Sequence, residues 1–123
     1  MDHRRNGFLK GRIKSFKFAV RGMWMLIITE HSIMVQLAIA FLVTILGWWL
    51  EISPSEWMFQ VLAIGLVLIS ESLNTAIEKL CDFVHPDHHR KIGFIKDISA
   101  GAVSFAAIAA VIVGLIIYLP KIL

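Results

Sequence analysis

The chain has a single cysteine, Cys81, among 123 residues. An intrachain disulfide is therefore excluded, and the lone thiol is expected to be inert and to face the reducing side. Charge is scarce as well: Asp, Glu, Lys and Arg make up only 17% of the chain, and Ser32–Leu50 contains none of them. There is no tandem repeat and no low-complexity tract. The G-x-x-x-x-G-K-[ST] phosphate loop is missing, and so is a protein-kinase catalytic loop, so any nucleotide site must be built from other parts. The first apolar run starts late, is long and lacks a small-residue cleavage site, which argues against a signal peptide.

What is abundant is apolar sequence. Hydrophobic residues reach 58% and the mean hydropathy is +0.76, above the roughly 45–50% of soluble domains. The excess is grouped in long runs, the mark of a membrane protein. Ser32–Leu50 has nineteen residues, enough at 1.5 Å each to cross about 28 Å of hydrocarbon. Trp48 and Trp49 close it as an interfacial belt. Ile52–Glu56 reads as a tight turn in which Ser53 or Ser55 caps the next helix. A second span is expected over 57–80 and a third over 98–119, opening with the small residues Ser99–Ala102 and ended by Pro120. Residues 8–24 put Lys10, Lys14, Lys17 and Arg21 on one helical face and Leu9, Ile13, Phe16, Val20 and Met23 on another. That pattern suits a helix over 8–28 lying in the headgroup plane.

The fold class expected is therefore all-α integral membrane, one domain over 1–123, with an amphipathic surface helix and three transmembrane helices. Few spans bury little surface per chain, so association between copies is expected. Seven of the twelve Lys and Arg precede residue 22, four lie within 79–97, and only Lys121 follows the last apolar run. This asymmetry places the N-terminus in the cytoplasm and the C-terminus outside. Basic residues so closely tied to membrane flanks do not suit nucleic-acid binding.

The second span ends on three polar groups, Glu71, Asn74 and Glu78, spaced i, i+3, i+7 on one helical stripe. A carboxylate at bilayer depth costs on the order of 3 kcal/mol and is functional by default. The alternative is a structural pairing with Lys79 or Lys96. Orientation brings Glu30, Glu71, Glu78 and the Lys96–Asp97 pair to one membrane level. Clustered carboxylates suit a hard cation such as Mg²⁺, a free carboxylate can take a proton from a hydroxyl, and lysine stabilises phosphate charge. His85, His88 and His89 look like a metal tract with an incomplete ligand set, and a solvated loop is the better reading. On residues alone the stripe leaves a metal site, a proton relay and a polar-substrate site open.

The segment Glu71-Ser-Leu-Asn74-Thr-Ala-Ile-Glu78, then Asp82, then Lys96-Asp97-Ile-Ser-Ala-Gly-Ala-Val103 resembles the signature of the small prokaryotic diacylglycerol kinase family, which includes undecaprenol kinases. Lys14–Gly22 and Glu30 also match its amino-terminal pattern, so the resemblance covers nearly the whole chain. It implies a homotrimer in the bacterial inner membrane, built from a surface helix and three spans per subunit, with sites where subunits meet. It implies ATP-dependent phosphorylation of a lipid alcohol, either diacylglycerol or undecaprenol, with Mg²⁺ required. By that correspondence Glu71 is the general base, Glu30 and Glu78 hold Mg²⁺, and Asn74 orients the reacting groups. Lys96 and Lys14 meet ATP phosphates, and Asp97 supports the site. Met34 and Gly11 stand where the family usually carries arginine. The wording Lys96–Val103 and the terminal Leu-Pro-Lys lean towards the undecaprenol branch. The competing function is a small proton-coupled exporter using the membrane glutamates, although such proteins usually have four spans with the acid in the first.

Overall fold

The computed structural model describes residues 2–123, with side chains from Arg4 onward. Four α-helices follow one another: α1 over Asp2–Thr29, α2 over His31–Trp49, α3 over Pro54–Val84 and α4 over Arg90–Ile122. No strand occurs among the described residues. α2, α3 and α4 are each long and apolar enough to cross a membrane. Helices meet the demand of hydrocarbon that every backbone N–H and C=O be satisfied within the protein, because their bonds stay within each segment. Span hydroxyls follow the same rule: Thr44, Ser72 and Ser104 each donate to the carbonyl four residues back.

Contacts divide the chain into two compact units, residues 1–34 and 35–123. In the first, α1 starts earlier than the expected surface helix and is a single run of 28 residues. Its break from α2 is one residue wide. The Glu30 N–H still bonds the Leu26 carbonyl, and the Glu30 carbonyl accepts from the Met34 N–H, both at 3.1 Å.

In the second unit the turn after α2 is set by local chemistry. The Ile52 N–H reaches the Gly47 carbonyl and the Glu51 N–H reaches that of Trp48, the paired bonds of a Schellman ending. That ending needs a left-handed residue, and Glu51 supplies it with φ 51°. Ser53 then caps α3, its hydroxyl accepting from the Glu56 N–H while the Glu56 carboxylate accepts from the Ser53 N–H at 2.9 Å. Pro54 follows in the first turn, where its missing N–H costs nothing. The carboxylate's other oxygen accepts from Lys121 Nζ at 2.9 Å, tying this turn to the end of α4. The Ser53 backbone N–H first, and then Lys121, hold the Glu56 carboxyl below the usual carboxylate range. A depressed carboxyl stabilises the fold above its ordinary pKa and loses that effect as pH falls through the folded value.

The core lies at this end. Ile52, Ile117 and Tyr118 are buried, with Val43, Leu46, Leu50, Trp57 and Val113 packed around them. Within it the Tyr118 hydroxyl donates to the Gln60 side-chain carbonyl and also faces the Val43 carbonyl, 3.2 Å away. The Gln60 amide approaches that same carbonyl at 3.4 Å. One polar node therefore joins α2, α3 and α4. It fits only because residue 47 is glycine: a Cβ there would lie 2.9 Å from Tyr118 Oη and 3.0 Å from both Ile52 Cδ1 and Trp57 Cη2. Beyond the node, α3 and α4 pack along each other. They bury mainly small or polar groups, Thr75 and Cys81 on α3 and Ser99 and Ala106 on α4, the usual currency of helix contacts in lipid. Gly101 does not serve this contact, since its Cβ position meets open space.

Three boundaries differ from the sequence reading. Pro120 does not end α4, which runs to Ile122. A proline in the final turn removes one hydrogen bond that a fraying end can forgo. α3 passes Leu80 to Val84, and α4 begins at Arg90 rather than 98. Polar residues there mark where apolar sequence stops, not where helix stops; Pro86 and the histidine caps set the true ends. Trp48 and Trp49 are 80% and 81% exposed, available to an interface.

Tyr118→Phe should cost about 0.6–1.7 kcal/mol, the range for interhelical hydrogen bonds in membrane proteins. Gly47→Ala should cost about 1–3 kcal/mol by overpacking, and less in the Tyr118→Phe background, because the nearest clash is with the removed hydroxyl. Thermal unfolding of the four proteins in detergent measures this; full additivity would show that the node does not depend on Gly47. Unfolding followed from neutral pH downward should show stability falling as Glu56 protonates, with a shallower slope in Lys121→Met.

Candidate active site

The acidic stripe occupies the far half of α3. Thirty-one helical residues run about 46 Å at 1.5 Å each, well beyond a hydrocarbon core of about 30 Å. The final turns of α3 therefore project out of any bilayer that Trp57 borders. Glu71 and Asn74 are half-buried, while Glu78 and Asp82 are exposed. The stripe thus runs from half-buried to exposed within about three turns.

The helix brings together what the spacing promised. Asn74 Nδ2 donates to Glu78 Oε1 at 3.1 Å, an i, i+4 bond that fixes the Glu78 carboxylate. The other end of the same amide, Asn74 Oδ1, is buried without a hydrogen-bond partner. A buried acceptor left unpaired is costly and calls for an explanation. Among the described residues no side chain hydrogen-bonds Glu71, so its oxygens remain open to an incoming hydroxyl. Of the two lysines offered as structural partners, Lys96 pairs with Asp82 rather than with a glutamate of the stripe.

α4 supplies the opposite charge. Lys96 stands in its second turn and Nζ donates to Asp82 Oδ1 at 2.6 Å. This hydrogen bond first, with the charges of Asp82 and Glu78 adding to it, raises the Lys96 pKa above its ordinary value. The ammonium is thus secured at any physiological pH. Its contribution is complete below the ordinary lysine pKa and is lost only as pH rises through the raised one. Asp97, next in sequence, is exposed.

The loop between the helices is short. His85 ends α3 with its N–H on the Cys81 carbonyl, and its Nδ1 lies 2.7 Å from the Asp87 carbonyl. His89 caps α4, with Nδ1 accepting from the Lys91 N–H at 3.1 Å. Their rings meet edge-on at 4.9 Å. Two of the three histidines are therefore helix caps. No group of three His, Cys, Asp or Glu side chains among the described residues is placed to hold a metal. Cys81 is buried and free, consistent with an inert thiol.

Lys14 and Glu30 belong to residues 1–34. Lys14 is exposed on α1, where it lines a shallow open groove with Lys10, Ile13, Lys17 and Phe18. Glu30 is half-buried at the α1–α2 break, with Thr29 Oγ1 3.4 Å from its Oε1.

The donor set of the stripe fits a hard divalent ion. Such an ion takes oxygen ligands, commonly one or two carboxylates completed by phosphate and water. Glu78 and the orphaned Asn74 Oδ1 are of that kind. Sequence reasoning missed the Asp82–Lys96 pair, the histidine caps and the Gln60–Tyr118 node. Signals for two of them were present: Asp82 lies one turn beyond Glu78, and Tyr118 is the chain's one tyrosine, set in an apolar run.

A family model described as prokaryotic diacylglycerol kinase matches residues 17–118. The chain is 42% identical to the undecaprenol kinase of Bacillus subtilis (strain 168) over 98% of its own length and 96% of the relative's. It is 29% identical to the diacylglycerol kinase of Escherichia coli (strain K12), covering 81% of this chain and 82% of that one. With the diacylglycerol kinase of a Synechocystis species it shares 34% identity over 89% of this chain and 63% of the relative.

Asn74→Leu removes the unpaired acceptor and should raise the stability of the ligand-free protein by about 1 kcal/mol, the low end of the cost of an unsatisfied buried group. Thermal unfolding in detergent reads this, and a clear fall in Tm would show that the orphan is no burden.

Proposed function

The chain belongs to the prokaryotic diacylglycerol kinase family, and from that membership we propose that it transfers the γ-phosphoryl group of ATP to the hydroxyl of a membrane lipid alcohol. The observation that carries the reading is the stripe: a half-buried Glu71, an Asn74 with an orphaned carbonyl oxygen, and an oriented Glu78. The order from half-buried to exposed suits a lipid hydroxyl arriving sideways and a nucleotide arriving from water. An exporter would need its acids at mid-bilayer, and nothing in the relatives favours it.

Glu71 is the proposed general base. It accepts the proton as the lipid oxygen bonds to the γ-phosphorus and the bond to the β–γ bridging oxygen breaks, releasing ADP. Phosphoryl transfer asks mostly for positioning and charge neutralisation, and Asn74 positions. Lys96 neutralises phosphate charge from α4, Lys14 does so from α1, and Asp97 supports the site. Glu78 and Glu30 are the proposed carboxylates for Mg²⁺. When bound, the ion would offset negative charge on the phosphate oxygens.

Further parts of the reading rest on the family resemblance and on charge placement. The protein is taken as one functional domain in the bacterial inner membrane, N-terminus in the cytoplasm and C-terminus outside. α1 lies along the headgroups by its Lys10, Lys14, Lys17 and Arg21 face. A homotrimer with sites where subunits meet is part of this reading, as the family resemblance implies. Between lipids, a polyprenol such as undecaprenol is placed ahead of diacylglycerol, because the Bacillus relative matches more of the chain at higher identity.

Purified protein in mixed micelles, given radiolabelled ATP with undecaprenol or diacylglycerol, should label the lipid only when Mg²⁺ is present, and undecaprenol the more strongly. Glu71→Gln should lower turnover by about 10²–10⁴-fold, the scale of a lost general base, without loss of folded protein. Unchanged turnover would remove Glu71 from the chemistry. Glu78→Gln should shift the Mg²⁺ titration to higher concentration or abolish transfer.

A further inference from the structure

Asp82 has no part in the transfer described above, yet it makes a 2.6 Å cross-helix contact to a lysine that does. It lies four residues beyond Glu78, so the stripe Glu71, Asn74, Glu78 continues through it on one face. Lys96 meets the stripe from α4, and the charge of Glu78 reaches it as well. The ammonium therefore has two carboxylates within electrostatic range and is hydrogen-bonded to the outer one.

We propose that Asp82 is a positioning residue for phosphoryl transfer: it holds the Lys96 ammonium aimed at the nucleotide phosphates and keeps it off Glu78. This rests on the reading that Lys96 meets ATP phosphate. Lysine has a flexible stem and three donors. One donor goes to Asp82 and two remain for phosphate oxygens, so nucleotide binding need not break the pair. A lysine already ordered loses less freedom when the nucleotide arrives. Without Asp82 the ammonium would turn to Glu78, neutralising the carboxylate that Asn74 orients and that the metal needs. The Asp82 side chain is 61% exposed and that of Lys96 37%. Exposed ion pairs contribute little to stability, so a purely structural role gives a poor account of the contact.

The test uses the full chain in mixed micelles at saturating lipid, with initial rates measured against ATP and Mg²⁺ separately. Asp82→Asn should raise the KM for ATP about tenfold, the low end for one charge-assisted hydrogen bond, and move the Mg²⁺ titration upward, with kcat held within about threefold. Asp82→Glu should restore most of the ATP affinity. Lys96→Ala should raise the KM at least as much, and adding Asp82→Asn to it should do little more, because Asp82 acts through Lys96. Full additivity in the double variant would overturn the proposal. So would a lowered KM in Asp82→Asn, which would mean that Asp82 withholds the lysine. A changed Tm with unchanged ATP and Mg²⁺ dependence would overturn it too. If Lys96→Ala leaves the KM for ATP unaltered, the phosphate contact itself fails and the inference goes with it. If only Asp82→Asn is silent, the contact stands and the positioning role is lost.

Discussion

The Val43 carbonyl is the point on which residues 35–123 depend. It is one acceptor in one helix, and it faces the Tyr118 hydroxyl from α4 and the Gln60 amide from α3. In a hydrocarbon surround the hydrophobic effect does not drive helices together, since lipid tails are as apolar as leucine. Close packing and a few satisfied polar groups must do so instead. Here both requirements meet at Gly47, where the missing side chain admits Tyr118, Ile52 and Trp57 together. The Schellman ending of α2, the Ser53–Glu56 capping box and the Lys121 ion pair then close the same end through backbone and charge.

Anchoring the helices at one end leaves the other end free for chemistry. α3 and α4 continue past the node with mostly small residues between them, and both project beyond hydrocarbon thickness. Towards that far end Glu78 and Asp82 are exposed, while Glu71 and Lys96 are half-buried. A short loop capped by His85 and His89 sets where α4 restarts, and so brings Lys96 level with Asp82. In the proposed reaction the same gradient in burial would separate the two substrates, with the lipid hydroxyl at the half-buried end and the charged nucleotide at the exposed end.

The unpaired groups are informative for the same reason. Buried polar atoms are normally satisfied, and the core node follows that rule. Asn74 Oδ1 does not, and among the described residues the half-buried Glu71 beside it on the stripe has no side-chain hydrogen bond. Both sit on the stripe, so the exceptions to good packing coincide with the residues a phosphoryl-transfer site would use. Stability given up at a site that must receive ligands is a familiar trade.

Much of this was legible in the amino-acid sequence. Long uncharged runs oblige helices, so three spans and their order followed from length and hydropathy alone. A period of 3.6 residues obliges Glu71, Asn74 and Glu78 onto one face. That Ser53 or Ser55 caps α3 followed from their place beside Pro54, and the structure selects Ser53. These are local matters, decided by residues within a few positions of one another. Helix ends were less legible, because polar sequence near 82–97 marks the edge of hydrocarbon rather than the end of hydrogen bonding. What only the tertiary structure decided are the pairings between residues far apart in the chain: Tyr118 with Gln60 and Val43, Lys121 with Glu56, and Lys96 with Asp82 rather than with a glutamate. Periodicity assigns a side chain to a face but says nothing of which residue on another helix stands opposite. That choice depends on the register and close approach of packed helices, which Gly47 and the histidine-capped loop set in three dimensions.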